Sequence, residues 1–425
     1  MSRHLLLGVA LLAALHSAYA GGKVLMLLQS EKNIDRFSSF TDALTAAGFT
    51  IEIKGYKDSS LKLREYGTWL YDDLVLFAPK AEGFGGSIDQ QTILDFVDSG
   101  HNVLLGVNSD VSEAMRNLAA EFGVDLDDRG TKVYDHFHYA VKEDGKQDHT
   151  LIAATDLVDS PVMVGGPYKQ PILFRGLAAS VPSNSELATV VLSAPGTAYS
   201  HDPKKSMIEP PALMVGAAAS LVTAVQARNN ARMVVAGSVE MFSNDIFNSQ
   251  VTVNGASTAT ANKDFCVTLT RWAFQDRGVL VASNLRHHLL GSEEQPWGYR
   301  VNDDVEFLVD VMEHEGGVAK PYKADDIQLE FIMLNPYVRV PLQHDGQGTF
   351  SLRFKVPDVY GVFKYFIDYS HRGYSYIKLT HQVPVRPFKH DEYERFLVCA
   401  YPYYASAASV MAAFFALGFF FLYHK

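Results

Sequence analysis

The sequence predicts an α/β protein with an added all-β segment and a single membrane anchor. Three observations carry this reading. From Lys23 to Gly123, continuous apolar runs of strand length alternate with helical patterns, as in a doubly wound, mostly parallel sheet. Between Gly316 and Val385, aromatic and β-branched runs are separated by closely spaced turn signals, as in an antiparallel β-sandwich. From Leu397 to Tyr423 there is no Asp, Glu, Lys or Arg, a run longer than the ~20 apolar residues a spanning helix needs.

The first strand is KVLMLLQ, residues 23–29. RFSSFTDALTAAGF follows, with Phe37, Phe40, Leu44 and Ala47 on one helical face and Gly48 as its stop. Strands TIEIKGY and DDLVLFAP, helix SIDQQTILDFVDSG, strand HNVLLGV and helix SDVSEAMRNLAAEFG complete a flavodoxin-like domain over residues 21–158. Ser87 and Ser109 or Asp110 are the expected N-caps, and Gly100 and Gly123 the C-terminal stops. A mixed α/β middle domain over residues 159–315 contains strands ATVVLSA, ALMVGAA and ARMVVAGS and helix DFCVTLTRWAFQDRG. The sandwich, residues 316–390, is built from IQLEFIML, GTFSLRFKV, GVFKYFIDY and YSYIKLTHQV, with Asn-Pro, Asp-Gly, Pro-Asp and Arg-Gly turns.

Both ends address a membrane. MSRHLLLGVALLAALHSAYA has Arg3 and His4, an apolar core, and Ala18 and Ala20 around Tyr19, which reads as a signal peptide (residues 1–20) cleaved between Ala20 and Gly21. The C-terminal run, residues 397–423, has Tyr401, Tyr403 and Tyr404 at one end and Tyr423 at the other, as aromatic belts do at the two interfaces. Only His424 and Lys425 follow, so the bulk of the chain is expected outside the cytosol. Within the span, Ala405, Ser409, Ala412 and Ala416 recur at i, i+4, i+7 and i+11 and form one small-residue stripe. Phe414 and Phe421 lie on another face. Between helices in hydrocarbon, close backbone approach across small side chains favours pairing, so the stripe is a candidate interface.

Composition narrows the chemistry. A formal charge of −11 and the absence of a basic run exclude a nucleic-acid binder of the usual kind. The two cysteines, Cys266 in a helical pattern and Cys399 at the membrane edge, make no disulfide framework. No Asn starts an Asn-x-Ser/Thr acceptor. Doubly wound sheets bind ligands beyond the C-terminal ends of their strands, so any site in this domain is expected there. QSEKNID after the first strand has no glycine to admit a phosphate, and Asn108-Ser109-Asp110 offers neither a Cys nucleophile nor a G-x-S-x-G elbow. AEGFGGS (81–87) reads as a loop. His136 and His138, with His149 nearby, would need a third and a fourth ligand to hold zinc and no Cys is available, while adjacent His287 and His288 point apart on a strand. DLDDR (125–129) and SEEQP (292–296) read as solvated acidic loops. No catalytic, cofactor or metal site is expected. The alternative is a membrane-anchored lumenal hydrolase using the doubly wound domain, which would need a polar constellation at the strand ends. A sorting receptor would need a longer cytosolic tail.

Several longer strings are more specific. QARNNARMVVAGSVEMFSNDIFNS (226–249), DDIQLEFIMLNPYVR (325–339), PDVYGVFKYFIDY (357–369), VPVRPF (383–388) and YERF…AYPYYASA (393–407) resemble the non-catalytic 48 kDa subunit family of the eukaryotic oligosaccharyltransferase complex. The resemblance runs in order through essentially the whole chain. It implies an assembly- and stability-supporting role in the complex that transfers a glycan from dolichyl diphosphate to Asn of nascent proteins. It also implies a single-pass type I protein of the endoplasmic-reticulum membrane. The partners implied are the catalytic multi-span subunit, the ribophorins and the small membrane subunits, with the translocon a further candidate. Some relatives carry a lysine-rich cytosolic tail for retrieval, and the two residues here depart from that pattern, so retention through assembly is expected.

Overall fold

A computed structural model describes residues 21–142, 147–205, 214–253, 256–393 and 397–424. The expected signal peptide, including Ala20, and Lys425 lie outside the described residues, and Gly21 is the first residue described.

The first strand, β1 (Lys23–Leu28), lies between β2 (Thr50–Gly55) and β3 (Asp73–Phe77), parallel to both. Helix α1 (Ser38–Ala46), preceded by a 3-10 turn over Glu31–Phe37, connects β1 to β2. Helix α2 (Gln90–Asp98), strand β4 (Asn102–Gly106) and helix α3 (Glu113–Glu121) follow, with β4 parallel to β3. The N-caps are Asp89, whose side chain accepts the Thr92 N–H, and Ser112, which accepts that of Met115. Capping thus falls two to three residues later than the sequence reading placed it at Ser87 and at Ser109 or Asp110. Gly48, Gly100 and Gly123 stop the helices with positive φ, as expected.

The sheet does not end at residue 158. Strand β5 (Ser220–Gln226) turns back into β6 (Arg232–Ala236), and β6 runs parallel beside β4. The order β2-β1-β3-β4-β6-β5 is therefore the flavodoxin-like 2-1-3-4-5 arrangement, with its fifth parallel strand drawn from the region assigned to a middle domain. Strands Ala179–Ser180, Asp125–Leu126 and Ala188–Ser193 extend the same sheet. The expected strand ALMVGAA is, in its described part, a 3-10 turn at Gly216–Ala218.

Helix α4 (Asn262–Ala273) covers one face of the sheet with α1, while α2 and α3 cover the other. Val24, Met26 and Leu28 of β1 enter the first core and Leu25 and Leu27 the second. Burial on both faces explains the continuous apolar runs, each such side chain contributing roughly 1.5–3 kcal/mol.

The sandwich begins near residue 279, earlier than the expected 316. One sheet contains β7 (Val279–Leu289), β9 (Asp304–Glu315) and β12 (Thr349–Lys355). The other has β8 (Tyr299–Arg300), β14 (Ile377–Arg386), β13 (Gly361–Tyr369), β10 (Gln328–Met333) and β11 (Asn335–Pro341), in that spatial order. Alternate residues such as Val305, Phe307, Val309 and Val311 of β9 meet Phe331, Phe363 and Tyr365 in its core. Helix α5 (Tyr401–Tyr423) completes the chain, and the stretch Val398–Tyr423 is long and apolar enough to cross a membrane.

Candidate functional site

The switch point of the parallel sheet lies between β1 and β3, and a crevice of about 250 Å³ opens there at the strands' C-terminal ends. Gln29, Asn33, Arg36, Lys80, Asn108 and Glu240 supply its polar lining. Most of these groups already have partners. The Gln29 side-chain carbonyl accepts the Lys80 N–H at 3.0 Å, Lys80 pairs with Asp110 at 2.9 Å, and Glu240 pairs with Arg175 at 3.5 Å. The hydrogen bond from Lys80 holds the Asp110 carboxyl below its ordinary pKa. No hydroxyl or thiol is among the residues lining the crevice. Such a lining can hydrogen-bond a polar ligand, but it assembles no nucleophile with a base. The neighbouring AEGFGGS segment is a loop packed on residues 58–61, where the Leu61 carbonyl leaves no room for a Cβ at Gly86.

Asp135 organises the histidines of DHFHY. Its buried carboxylate accepts the N–H groups of Phe137 at 2.7 Å and His138 at 3.0 Å and the Thr197 hydroxyl at 2.8 Å. Burial pushes this carboxyl up, but these hydrogen bonds outweigh it and leave the pKa lowered. His138 Nδ1 is 3.0 Å from Thr197 Oγ1, whereas His136 Nε2 is 3.0 Å from Tyr199 Oη and its ring lies against His149. His136 and His138 therefore have separate hydrogen-bond partners, and among the described residues no group of three or more His, Cys, Asp or Glu is placed to hold a metal. DLDDR departs from the solvated acidic loop expected of it. Asp125–Leu126 of DLDDR is a strand, and Asp127 is buried and bonded to Ser200, so the segment is only partly a solvated loop.

His287 and His288 do point apart: His287 is buried between the sandwich sheets. Its Nδ1 is 2.8 Å from Tyr299 Oη and its Nε2 is 3.0 Å from His381 Nε2. Burial, and then repulsion from His381 and His288, push its pKa down to about 4. Nothing in the local sequence announces His381, because the partner comes from the facing sheet. In α5, Ala405, Ser409, Ala412 and Ala416 are exposed along one face, with the Ser409 hydroxyl donating to the Ser406 carbonyl at 2.8 Å. Cys266, buried, and Cys399, exposed, are both free.

Comparison with known proteins connects these parts. Residues 15–276 match the family described as OST48, N-terminal domain, and residues 287–425 match the OST48 middle domain. The chain belongs to the OST48 family. The junction between the two OST48 matches falls beside the start of β7, where the structure begins its sandwich. Three relatives are named as the 48 kDa subunit of dolichyl-diphosphooligosaccharide–protein glycosyltransferase. The Arabidopsis thaliana protein is 44% identical over 95% of this chain and 93% of its own length. The Danio rerio protein is 39% identical over 97% and 94%, and the Caenorhabditis elegans protein 37% over 98% and 95%. Two solved structures, a carbohydrate deacetylase and a ThuA-like protein from Parabacteroides merdae, align with TM-scores of only 0.33 and 0.34 at 15% and 12% identity, over 67% and 59% of this chain and 36% and 89% of theirs. The hydrolase alternative draws no support from the OST48 matches.

Proposed function

We propose that this chain is a non-catalytic, membrane-anchored subunit of the oligosaccharyltransferase complex, supporting its assembly and stability during protein N-glycosylation. The observation that carries this reading is the 37–44% identity, over nearly the whole of both chains, to relatives named as that subunit. The partners that Gln29, Lys80 and Glu240 already hold at the switch-point crevice support a role other than catalysis. In this reading the catalytic multi-span subunit, the ribophorins and the small membrane subunits are the partners. The chain is cleaved between Ala20 and Gly21 and keeps its bulk in the lumen of the endoplasmic reticulum. The stripe Ala405, Ser409, Ala412 and Ala416 packs on other spanning helices of the complex.

The test is glycan transfer by complexes carrying Ser109→Ala, His136→Ala or His138→Ala. Each is expected to retain activity within about twofold, whereas loss of a catalytic group typically costs ~10²-fold or more. A hundredfold loss from an intact complex would overturn the proposal.

A further inference from the structure

The two ends of the sandwich differ. At one end it meets the doubly wound domain: the Trp272 indole N–H donates to the Gly373 carbonyl at 2.7 Å, and Asn230 Oδ1 accepts the Tyr376 N–H at 2.7 Å. At the other end, register brings several large apolar side chains together. Gly361 of β13 pairs with Val385 of β14, and Val362 with Pro384. The β10–β11 turn closes over Gly361, where Met333 leaves no room for a Cβ, and Leu334 forms its tip with φ +64°. The first sheet ends at the same level. Val301 N–H donates to the Arg386 carbonyl at 2.9 Å, Val356 N–H to that of Asp303 at 2.8 Å, and Leu290 N–H to that of Asp304 at 2.9 Å.

Leu334 is 98% exposed, Tyr360 67%, Val362 56% and Leu290 52%. Trp297, next to the Gly298 that lies against Pro384, is 85% exposed. Exposed apolar residues scattered singly are ordinary, but a group of large ones at one end of a domain marks an interaction surface.

The chain itself says what covers it. Strand β14 leaves the sandwich at this end, and Arg386 at its last position holds Glu392 through two bonds of 2.6 and 2.7 Å. Arg300 also stacks on Phe388, 5.0 Å from the ring centroid. The chain is thereby tied to the sandwich as far as Glu392. From there to Val398, where the apolar helix begins, fully extended chain reaches roughly 20 Å at most. Tyr and Trp favour the headgroup level, where one end of the ring is apolar and the other wet.

We propose that this end of the sandwich, through Leu290, Trp297, Leu334, Tyr360 and Val362, rests in the headgroup layer of the bilayer that α5 spans. The sandwich is then held to the membrane by a second contact and cannot swing freely on its linker.

The full chain carrying Cys399→Ser is reconstituted in phosphatidylcholine nanodiscs, and Leu334→Cys, Tyr360→Cys and Val318→Cys are labelled in turn with an environment-sensitive fluorophore. Val318 is 59% exposed at the opposite end and serves as the aqueous reference. Labels at 334 and 360 are expected to shift blue and to be quenched about twofold or more by lipid bearing a nitroxide near its headgroup, with no change at 318. Native tryptophan emission gives an independent reading, the same lipid removing a component that Trp297→Phe abolishes. If all three labels behave alike and Trp297 is not quenched, the proposal fails. It also fails if 334 and 360 become shielded only when other subunits are added, because a protein then covers the surface.

Discussion

Arg232 shows how much one buried charge can organise. It lies fully buried in β6, donates to the carbonyls of Trp272 at 2.8 Å, Arg277 at 2.6 Å and Gly278 at 2.6 Å, and stacks 4.6 Å from the Trp272 ring centroid. Its planar fork thus ties the sheet to the end of α4 and to the entry of the sandwich. Lysine lacks that geometry. Arg232→Lys is expected to lower stability by about 2–3 kcal/mol, and Arg232→Met by about 3–5 kcal/mol as the carbonyls lose their donors. Denaturant unfolding followed by tryptophan fluorescence measures both. His287 makes a pH-dependent contribution. Its folded-state imidazole takes a proton only near pH 4, against an ordinary value of 6.5. The stability provided by neutral His287 is therefore complete above pH 6.5 and is lost as pH falls toward 4, by on the order of 2–3 kcal/mol. His287→Gln should flatten that acid slope while leaving other carboxylate-driven changes in place. An unchanged slope would assign the acid sensitivity elsewhere.

At the scale of elements, the span carries the clearest expectation. Its small residues and Phe414 and Phe421 occupy opposite faces, and in hydrocarbon only close approach and interhelical hydrogen bonds favour pairing. Ala412→Ile should hold neighbouring helices apart and reduce recovery of the other subunits in a pull-down, whereas Phe421→Leu should not. Equal recovery of both variants would leave α5 as an anchor alone, with assembly resting on the folded domains.

For the whole molecule, the decisive contact is the one between the doubly wound domain and the sandwich. Asn230, at φ +69°, accepts the Tyr376 N–H at 2.7 Å and donates to its carbonyl at 3.2 Å, and Gln226 donates to the Tyr374 carbonyl at 2.9 Å. Asn230→Gly keeps the backbone conformation and removes only the clamp, at a cost of about 1–3 kcal/mol. Calorimetry should then resolve two transitions in the variant and one in the unaltered chain. A single transition in the variant would show that Arg232 and Trp272 couple the domains without Asn230.

Much of this was legible in the sequence because it depends on neighbours in the chain. The apolar runs of β1, β3 and β4, the stops at Gly48, Gly100 and Gly123, and the uncharged run of α5 are local patterns, and each predicted its element. The long strings from 226 to 407 likewise carry the family resemblance in the sequence alone. Other features depend on residues far apart. Strand β6 enters the first sheet only after a long excursion from β4, so no window of sequence could assign it to that domain. Strands β7 and β9 precede the turn-rich region that signalled a sandwich, and their outward Glu306 and Asp310 diluted the apolar pattern that Val305, Phe307 and Val309 present inward. Asp127 and His287 looked like solvated or idle groups because Ser200 and His381, which bury and bond them, come from distant strands. The sequence by itself determined the elements, the anchor and the family. Tertiary structure decided where the domains divide and which polar groups are buried, since the energy of burying a polar group depends on partners that only folding brings within reach.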